Sequence, residues 1–228
     1  MTSTFAQDGF EIIRSAVSRS EVEALRKVLT VLDVAPGHRR LMQLIPEIAA
    51  LAVSSPIANL LRQRIGGAPF PVRSIFFDKT PGASWLVPWH QDLSIAVQKR
   101  RDVEGYGPWS VKDGVPHVQP PVAILEQMIT LRLHLDDCDE SNGALQVTGG
   151  SHQRGRLTAA AITAERSRVE PVTCSAQAGD VLFMRPLLLH ASSPAKVPSH
   201  RRVVHLEYAT GPLADDLEWA EGPCPPAS

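Results

Sequence analysis

The chain is poor in cysteine: its 228 residues include only Cys138, Cys174 and Cys224, with no C-x-x-C or other paired spacing. That argues against a cysteine-built zinc site, and the odd count argues against a disulfide framework. Long apolar runs are missing as well. Nothing approaches the roughly 20 residues a membrane-spanning helix needs, and Met1 to Asp8 lack the apolar segment of a secretory signal. An excess of charge of one sign is also absent, since 23 Lys and Arg face 24 Asp and Glu for a formal net charge of −1. Neither nucleic acid nor an acidic membrane is therefore indicated as a partner. No internal repeat is visible. These absences lead to an expectation of one cytoplasmic domain, long enough to bury a sizeable core, with a homodimer left open.

What the chain does contain is a sparse set of metal-ligand types in a telling order. His90 and Asp92 lie two apart in Trp89-His90-Gln91-Asp92, and His190 follows far downstream, with Arg201 eleven residues beyond it. Residues two apart on a β-strand project to one side, so His90 and Asp92 can grip one ion. Leu86 to Trp89 read as a strand ending at a pocket mouth. The Val181–Met184 and Leu187–Leu189 runs read as a second strand that brings His190 to the same cavity. Two imidazoles and one carboxylate on one face suit a non-haem Fe(II) site, because the remaining positions stay open for a co-substrate and O2. A bare His-x-Asp is common and carries little weight alone.

Taken in order, these stretches resemble the phytanoyl-CoA dioxygenase family of Fe(II)/2-oxoglutarate-dependent oxygenases. The resemblance is carried by Pro88-Trp89-His90-Gln91-Asp92, by Leu135-Asp136-Asp137 with Asn142-Gly143-Ala144-Leu145, by Gly149-Gly150-Ser151-His152, and by Gly179-Asp180-Val181-Leu182-Phe183 leading to His190-Ala191-Ser192 and Arg201. It implies that His90, Asp92 and His190 ligate iron and are the catalytic set. It further implies that Arg201 pairs with the distal carboxylate of 2-oxoglutarate, Ser192 donates a hydroxyl to it, and Lys79 reaches the same co-substrate. Arginine suits that role because its planar fork pairs with both carboxylate oxygens. Arg202 is expected to point the other way on a strand. The implied chemistry is hydroxylation of a small metabolite with release of succinate and CO2. Asp92 favours such oxidation over halogenation, because related halogenases lack this carboxylate.

The order of elements fits a mainly β protein with flanking helices: a double-stranded β-helix, or jelly-roll cupin-like barrel, with N-terminal helices outside. The helical part is expected over about 10–66, the barrel over about 72–210, and a partly disordered tail over 211–228. Ser18 and Glu21 form a capping box ahead of Val22, Leu25, Val28, Leu29 and Leu32 at helical spacing. Further helices are expected near Pro46 and from Ile57 to Ile65, the latter capped by Ser55 and ended by Gly66-Gly67. Strands are expected at Val72–Asp78, Ile124–Leu135, Leu145–Val147, Val181–Met184 and Val203–Tyr208. A turn is expected at Asp139 to Gly143.

Substrate selection is expected in the long segment Gln98–Pro121, read as a loop over the site mouth carrying Tyr106, Trp109 and His117. The alternative is a surface excursion packed by its own aromatics. Thr130, Arg132 and His134 alternate with Leu131, Leu133 and Leu135, so one set faces a polar space. In the family pattern the place of Arg132 often holds a large aromatic residue. Facing inward, this cation could bind an anionic substrate group or help hold 2-oxoglutarate; facing outward, the set meets solvent or pairs with Asp136 or Glu126. His38, His200 and His205 read as ordinary, although His205 could face the cavity. Two rival functions stay open: a cupin-like metalloenzyme that does not use 2-oxoglutarate, and a non-catalytic protein that binds metal or 2-oxoglutarate.

Overall fold

The computed structural model describes residues 5–33, 37–80, 85–196 and 200–222. Cys224 lies outside the described residues. The N-terminal part holds α1 (Phe5–Asp8), β1 (Phe10–Ile13), α2 (Arg19–Leu29), β2 (Gly37–Arg39), α3 (Leu41–Leu44), α4 (Pro46–Ala52) and α5 (Ser55–Ile65). Then come β3 (Phe70–Lys79), β4 (Val87–His90), β5 (Ile95–Ala96), β6 (Trp109–Lys112), β7 (Val115–Val118), α6 (Val122–Glu126) and β8 (Met128–His134). The chain continues through β9 (Leu145–Val147), α7 (Ala159–Arg168), β10 (Val172–Thr173), β11 (Val181–Met184), β12 (His190–Ser192) and β13 (Arg201–Ala209).

Two antiparallel sheets make the barrel, a jelly roll. The larger runs β1-β11-β8-β13-β3-β2 and the smaller β10-β9-β12-β4. From β3 onward the chain passes repeatedly between them, which brings sequence-distant strands side by side. Strand alternation then sorts the side chains. Leu131 and Leu133 of β8 and Val204, Leu206 and Tyr208 of β13 point out under the helices, where they meet Val22, Leu25, Ile48, Ile57 and Leu61. The opposite set, Thr130, Arg132 and His134 with Arg201, His205 and Glu207, is buried on the barrel side.

The helices begin where their caps dictate. The Ser18–Glu21 capping box is formed in full, with both reciprocal bonds present. The N-cap of α5 is Ser54, one residue before the expected Ser55, and it makes no side-chain cap bond; Pro56 in the first turn sets the start instead. Gly66 closes α5 at φ 68, a conformation that suits glycine.

Three expectations are corrected. The run Ile124–Leu135 is not one strand: Val122–Glu126 is helical and the strand begins at Met128. His190 does not continue the strand Val181–Met184 but sits on its own strand in the other sheet. The tail is ordered further than its composition suggests. Leu213, Leu217 and Trp219 are buried in a second core, Trp219 bridges to Val97, and the buried Glu221 carboxylate accepts from the Ser74 backbone N–H at 2.8 Å.

Candidate active site

The two histidines face each other across a strand pair: His190 of β12 lies opposite His90 of β4 in the antiparallel register. Their rings are 4.2 Å apart, centroid to centroid. Each Nδ1 lies 2.8 Å from a backbone carbonyl two residues earlier, Pro88 for His90 and Leu188 for His190. A carbonyl can only accept, so both hydrogens sit on Nδ1 and both Nε2 lone pairs are left for a ligand. Those Nε2 atoms converge on Asp92, at 3.7 Å from Oδ1 for His90 and 3.7 Å from Oδ2 for His190. The three groups offer atoms within 4.8 Å of one another, a cluster able to hold a metal ion.

Gln91 fastens this segment. Its Nε2 donates to the Gly155 and Leu187 carbonyls at 2.8 and 2.7 Å, while its Oε1 accepts from the Leu157 N–H at 2.8 Å. The Asp92 N–H donates to the Pro186 carbonyl at 2.9 Å. The first ligand pair is thus tied directly to the chain that leads into His190.

Protonation suits a metal. Burial pushes the His190 imidazole down to about 4, against the pull of Asp92, so it is neutral at physiological pH. Burial would raise the Asp92 carboxyl, but His190, His205 and His90 outweigh it and hold it at about 2. A neutral imidazole and an ionised carboxylate are the ligand forms.

A second cluster lies beside this one. Lys79 Nζ donates to Ser192 Oγ at 2.8 Å and to the Trp85 and Ser193 carbonyls at 2.9 and 3.0 Å. Arg201 Nη1 reaches Ser192 Oγ at 3.3 Å and donates to the Gly143 carbonyl. Strand alternation separates Arg201 from Arg202, whose guanidinium turns away to grip both oxygens of Asp136 at 2.8 and 2.9 Å. Burial, then Arg201 and Arg132, lower the Lys79 ammonium to about 8.

Gly143 carries the carbonyl that receives both Arg201 and Ser192. Its φ is +79, and a Cβ there would meet the Ser193 carbonyl oxygen at 2.3 Å. Gly143→Ala should therefore cost about 1–3 kcal/mol of stability and loosen the Arg201 cluster. Thermal unfolding of both proteins checks this, and an unchanged Tm would contradict it.

Both clusters open on one cavity of about 150 Å³, lined by Phe77, Lys79, Trp85, Val87, His90, Asp92, Arg132, Leu145, His190, Ser192, Arg201 and His205. Phe77, Trp85, Val87 and Leu145 are its apolar walls, and of these Phe77 and Trp85 have no motif to mark them in the sequence. Arg132 enters this cavity, as does His205. Neither Asp136 nor Glu126 claims Arg132; Asp136 is held by Arg26 and Arg202. Thr130 and His134 also face the barrel interior but do not line the cavity. The Thr130 hydroxyl and both His134 ring nitrogens are buried without a partner among the described residues, and burial lowers His134 to about 3.

Within the expected loop Gln98–Pro121, β6 and β7 form a β-hairpin whose β7 edge pairs with β5, while residues 98–108 carry no strand. Tyr106 and Trp109, expected to touch substrate, pack instead against the second core around Val118, Leu125 and Trp219. Neither lines the cavity.

The comparisons with known proteins come to the same architecture. The family model described as phytanoyl-CoA dioxygenase (PhyH) matches residues 5–203. The chain belongs to this family. It is thus an iron- and 2-oxoglutarate-dependent dioxygenase, and the phytanoyl-CoA dioxygenase motifs lie in the strands and turns described above. No curated protein matches the chain by sequence. Among solved structures, EctD from S. alaskensis with 2-oxoglutarate and 5-hydroxyectoine is 18% identical, covering 90% of this chain and 73% of that one, with a TM-score of 0.71. The carbocyclase SnoK from nogalamycin biosynthesis is 17% identical over 90% and 81%, with a TM-score of 0.69. HygX from Streptomyces hygroscopicus, with nickel and 2-oxoglutarate bound, is 21% identical over 90% and 84%, with a TM-score of 0.65. At these identities the likeness is one of fold. No helix among the described residues is long and apolar enough to cross a membrane.

Proposed function

We propose that this dioxygenase hydroxylates a small-molecule metabolite, with one atom of O2 entering a substrate C–H bond and the other entering succinate as 2-oxoglutarate loses CO2. The observation that carries the reading is the pair of Nε2 lone pairs, each fixed by a carbonyl behind the ring, aimed at one carboxylate. That donor set fits Fe(II), with imidazole and carboxylate on one side and open positions on the other. His90, Asp92 and His190 would hold the metal, and Fe(II) bound there supplies O2 activation.

The remaining roles fall to the protein's own groups. Arg201 holds the distal carboxylate of 2-oxoglutarate with its planar fork, and Ser192 and Lys79 complete the polar end of that cradle. The backbone carbonyls of Pro88 and Leu188 keep each proton on Nδ1, away from the ligand position. Phe77, Trp85, Val87 and Leu145 exclude water from the rest of the cavity.

Anaerobic addition of Fe(II) and 2-oxoglutarate to the purified protein should give the visible charge-transfer band of the chelate. His190→Ala should lack it. Once the band is seen, succinate release in the presence of candidate metabolites identifies the substrate. A band without succinate from any substrate would favour a binding protein, and metal binding without a band would favour a cupin-like metalloenzyme.

A further inference from the structure

Arg132 is a buried cation with an unusual set of partners. Its side chain lines the cavity that holds the metal cluster, and the residue is 8% exposed. Among the described residues no carboxylate pairs with it. Its Nη1 lies 3.0 Å from His205 Nδ1, and its Nε is buried without a partner.

The geometry behind Arg132 is built rather than incidental. An arginine can only donate, so His205 Nδ1 accepts and its hydrogen sits on Nε2. That Nε2 then donates to Glu207 Oε1 at 3.1 Å, and Arg73 Nη1 donates to the same oxygen at 2.8 Å. Glu207 is thereby neutralised by Arg73, its near neighbour, and does not offset Arg132. The Phe77 ring lies 5.7 Å from the Arg132 guanidinium carbon and meets the His205 ring edge-on, also at 5.7 Å. Strands β3, β8 and β13 together hold one guanidinium in place from behind.

Charge then decides what that guanidinium is for. Among the described residues, Lys79, Arg132 and Arg201 line the cavity against the one carboxylate of Asp92. A divalent metal and the 2-oxoglutarate dianion cancel each other, so loading the site leaves two positive charges in excess. Buried charge of one sign is costly unless a ligand supplies the other. Arg201 and Lys79 share Ser192 at one end of the cavity, whereas Arg132 is braced from the His205 side and, among the described residues, shares no hydrogen-bond partner with them.

We infer that Arg132 is a specificity-determining residue that receives a carboxylate group of the primary substrate, so that this dioxygenase acts on an organic acid. The inference rests on the proposed function for the identity of the reaction, but not for the existence of the anion site. Of the two inward readings of Arg132, it selects the substrate over 2-oxoglutarate, and its test separates them.

The test uses butyrate and its neutral isostere butyramide as probes, titrated calorimetrically into protein loaded with Mn(II) and saturated with 2-oxoglutarate. Butyrate should bind at least tenfold more tightly than butyramide. Arg132→Gln should remove that difference while leaving 2-oxoglutarate affinity within threefold of the parent, and Arg132→Lys, which keeps the charge, should restore part of it. Equal binding of the two probes by the parent protein overturns the inference. So does a tenfold loss of 2-oxoglutarate affinity in Arg132→Gln, which assigns Arg132 to the co-substrate. Should the parent protein bind neither Mn(II) nor 2-oxoglutarate, the proposed function fails by itself. The same titration of the metal-free protein then decides on Arg132: a butyrate preference that Arg132→Gln abolishes supports it, and no preference overturns it.

Discussion

Asp92→Ala is expected to cut 2-oxoglutarate-driven turnover by at least ~10³-fold. Losing a group that merely orients a metal ligand already costs 10–100-fold, and among the described residues Asp92 is the only carboxylate lining the cavity. Without it the two imidazoles remain, each still fixed by its carbonyl, but the site loses its only anionic ligand and one of three attachment points. The effect should appear first in metal binding. A ligand present at about 100 times its Kd stabilises the folded state by about 2.7 kcal/mol, so Fe(II) added anaerobically should raise the Tm of the parent protein. The variant should show little or no rise. Asp92 is only partly buried, and among the described residues its carboxylate makes no side-chain hydrogen bond, approaching the two histidines only to 3.7 Å. The metal-free variant should therefore fold normally, and circular dichroism separates loss of the metal from loss of the fold. A folded Asp92→Ala protein with parental turnover would sink the iron assignment.

The metal cluster was legible in the sequence because its geometry is partly local. His90 and Asp92 are two apart, and His190 comes into register with His90 through strand pairing that the order of strands anticipates. Strand alternation likewise separated Arg201 from Arg202, and it left the inward set of β8 visible as Thr130, Arg132 and His134. Applied to β13, the same rule would have exposed Glu207, which shares the inward parity of Arg201 and His205. Arg73 and Glu207 carry no motif of their own in the sequence, because they act from behind through His205. The direction of Arg132 was left open for a physical reason. Alternation says that two faces differ, but only the helices packed over Leu131 and Leu133 show which one is the outside.

Other errors share one origin, which is composition read as conformation. Gly, Pro and charge hid β6 and β7 within Gln98–Pro121, where short strands form because the partner strand and the second core supply the stabilisation. Tyr106 and Trp109 follow the commoner fate of aromatics, which is burial of apolar area. The apolar run from Ile124 to Leu135 could not reveal its own helix–strand boundary, since periodicity fails on short apolar stretches. The Pro-rich C-terminal stretch hid Leu213, Leu217 and Trp219, whose burial fixes the chain as far as the contact between Glu221 and Ser74.

Arg201→Gln is expected to weaken 2-oxoglutarate binding by on the order of 10²-fold or more while leaving turnover at saturating co-substrate much closer to the parent value. Truncating one partner of a buried, hydrogen-bonded charge pair typically costs 2–5 kcal/mol, and each 1.4 kcal/mol is a factor of ten in Kd. Arg201 is buried at 4% exposure, so solvent screening does little to soften the loss. Lys79 stands 2.8 Å from the shared Ser192 hydroxyl and keeps one positive charge at that end, so binding should be weakened rather than abolished. Arg201→Lys separates charge from shape: it restores the cation without the planar fork and should recover only part of the affinity. Arg202→Gln is the matched control. It breaks the grip on Asp136, so it should lower thermal stability and leave the Kd for 2-oxoglutarate within about threefold of the parent. The measurement is the anaerobic titration of the chelate band with 2-oxoglutarate. Equal midpoints for Arg201→Gln and the parent would move the co-substrate's distal carboxylate away from Arg201, whereas a shifted midpoint in Arg202→Gln would mean that the neighbouring strand position had been read on the wrong face.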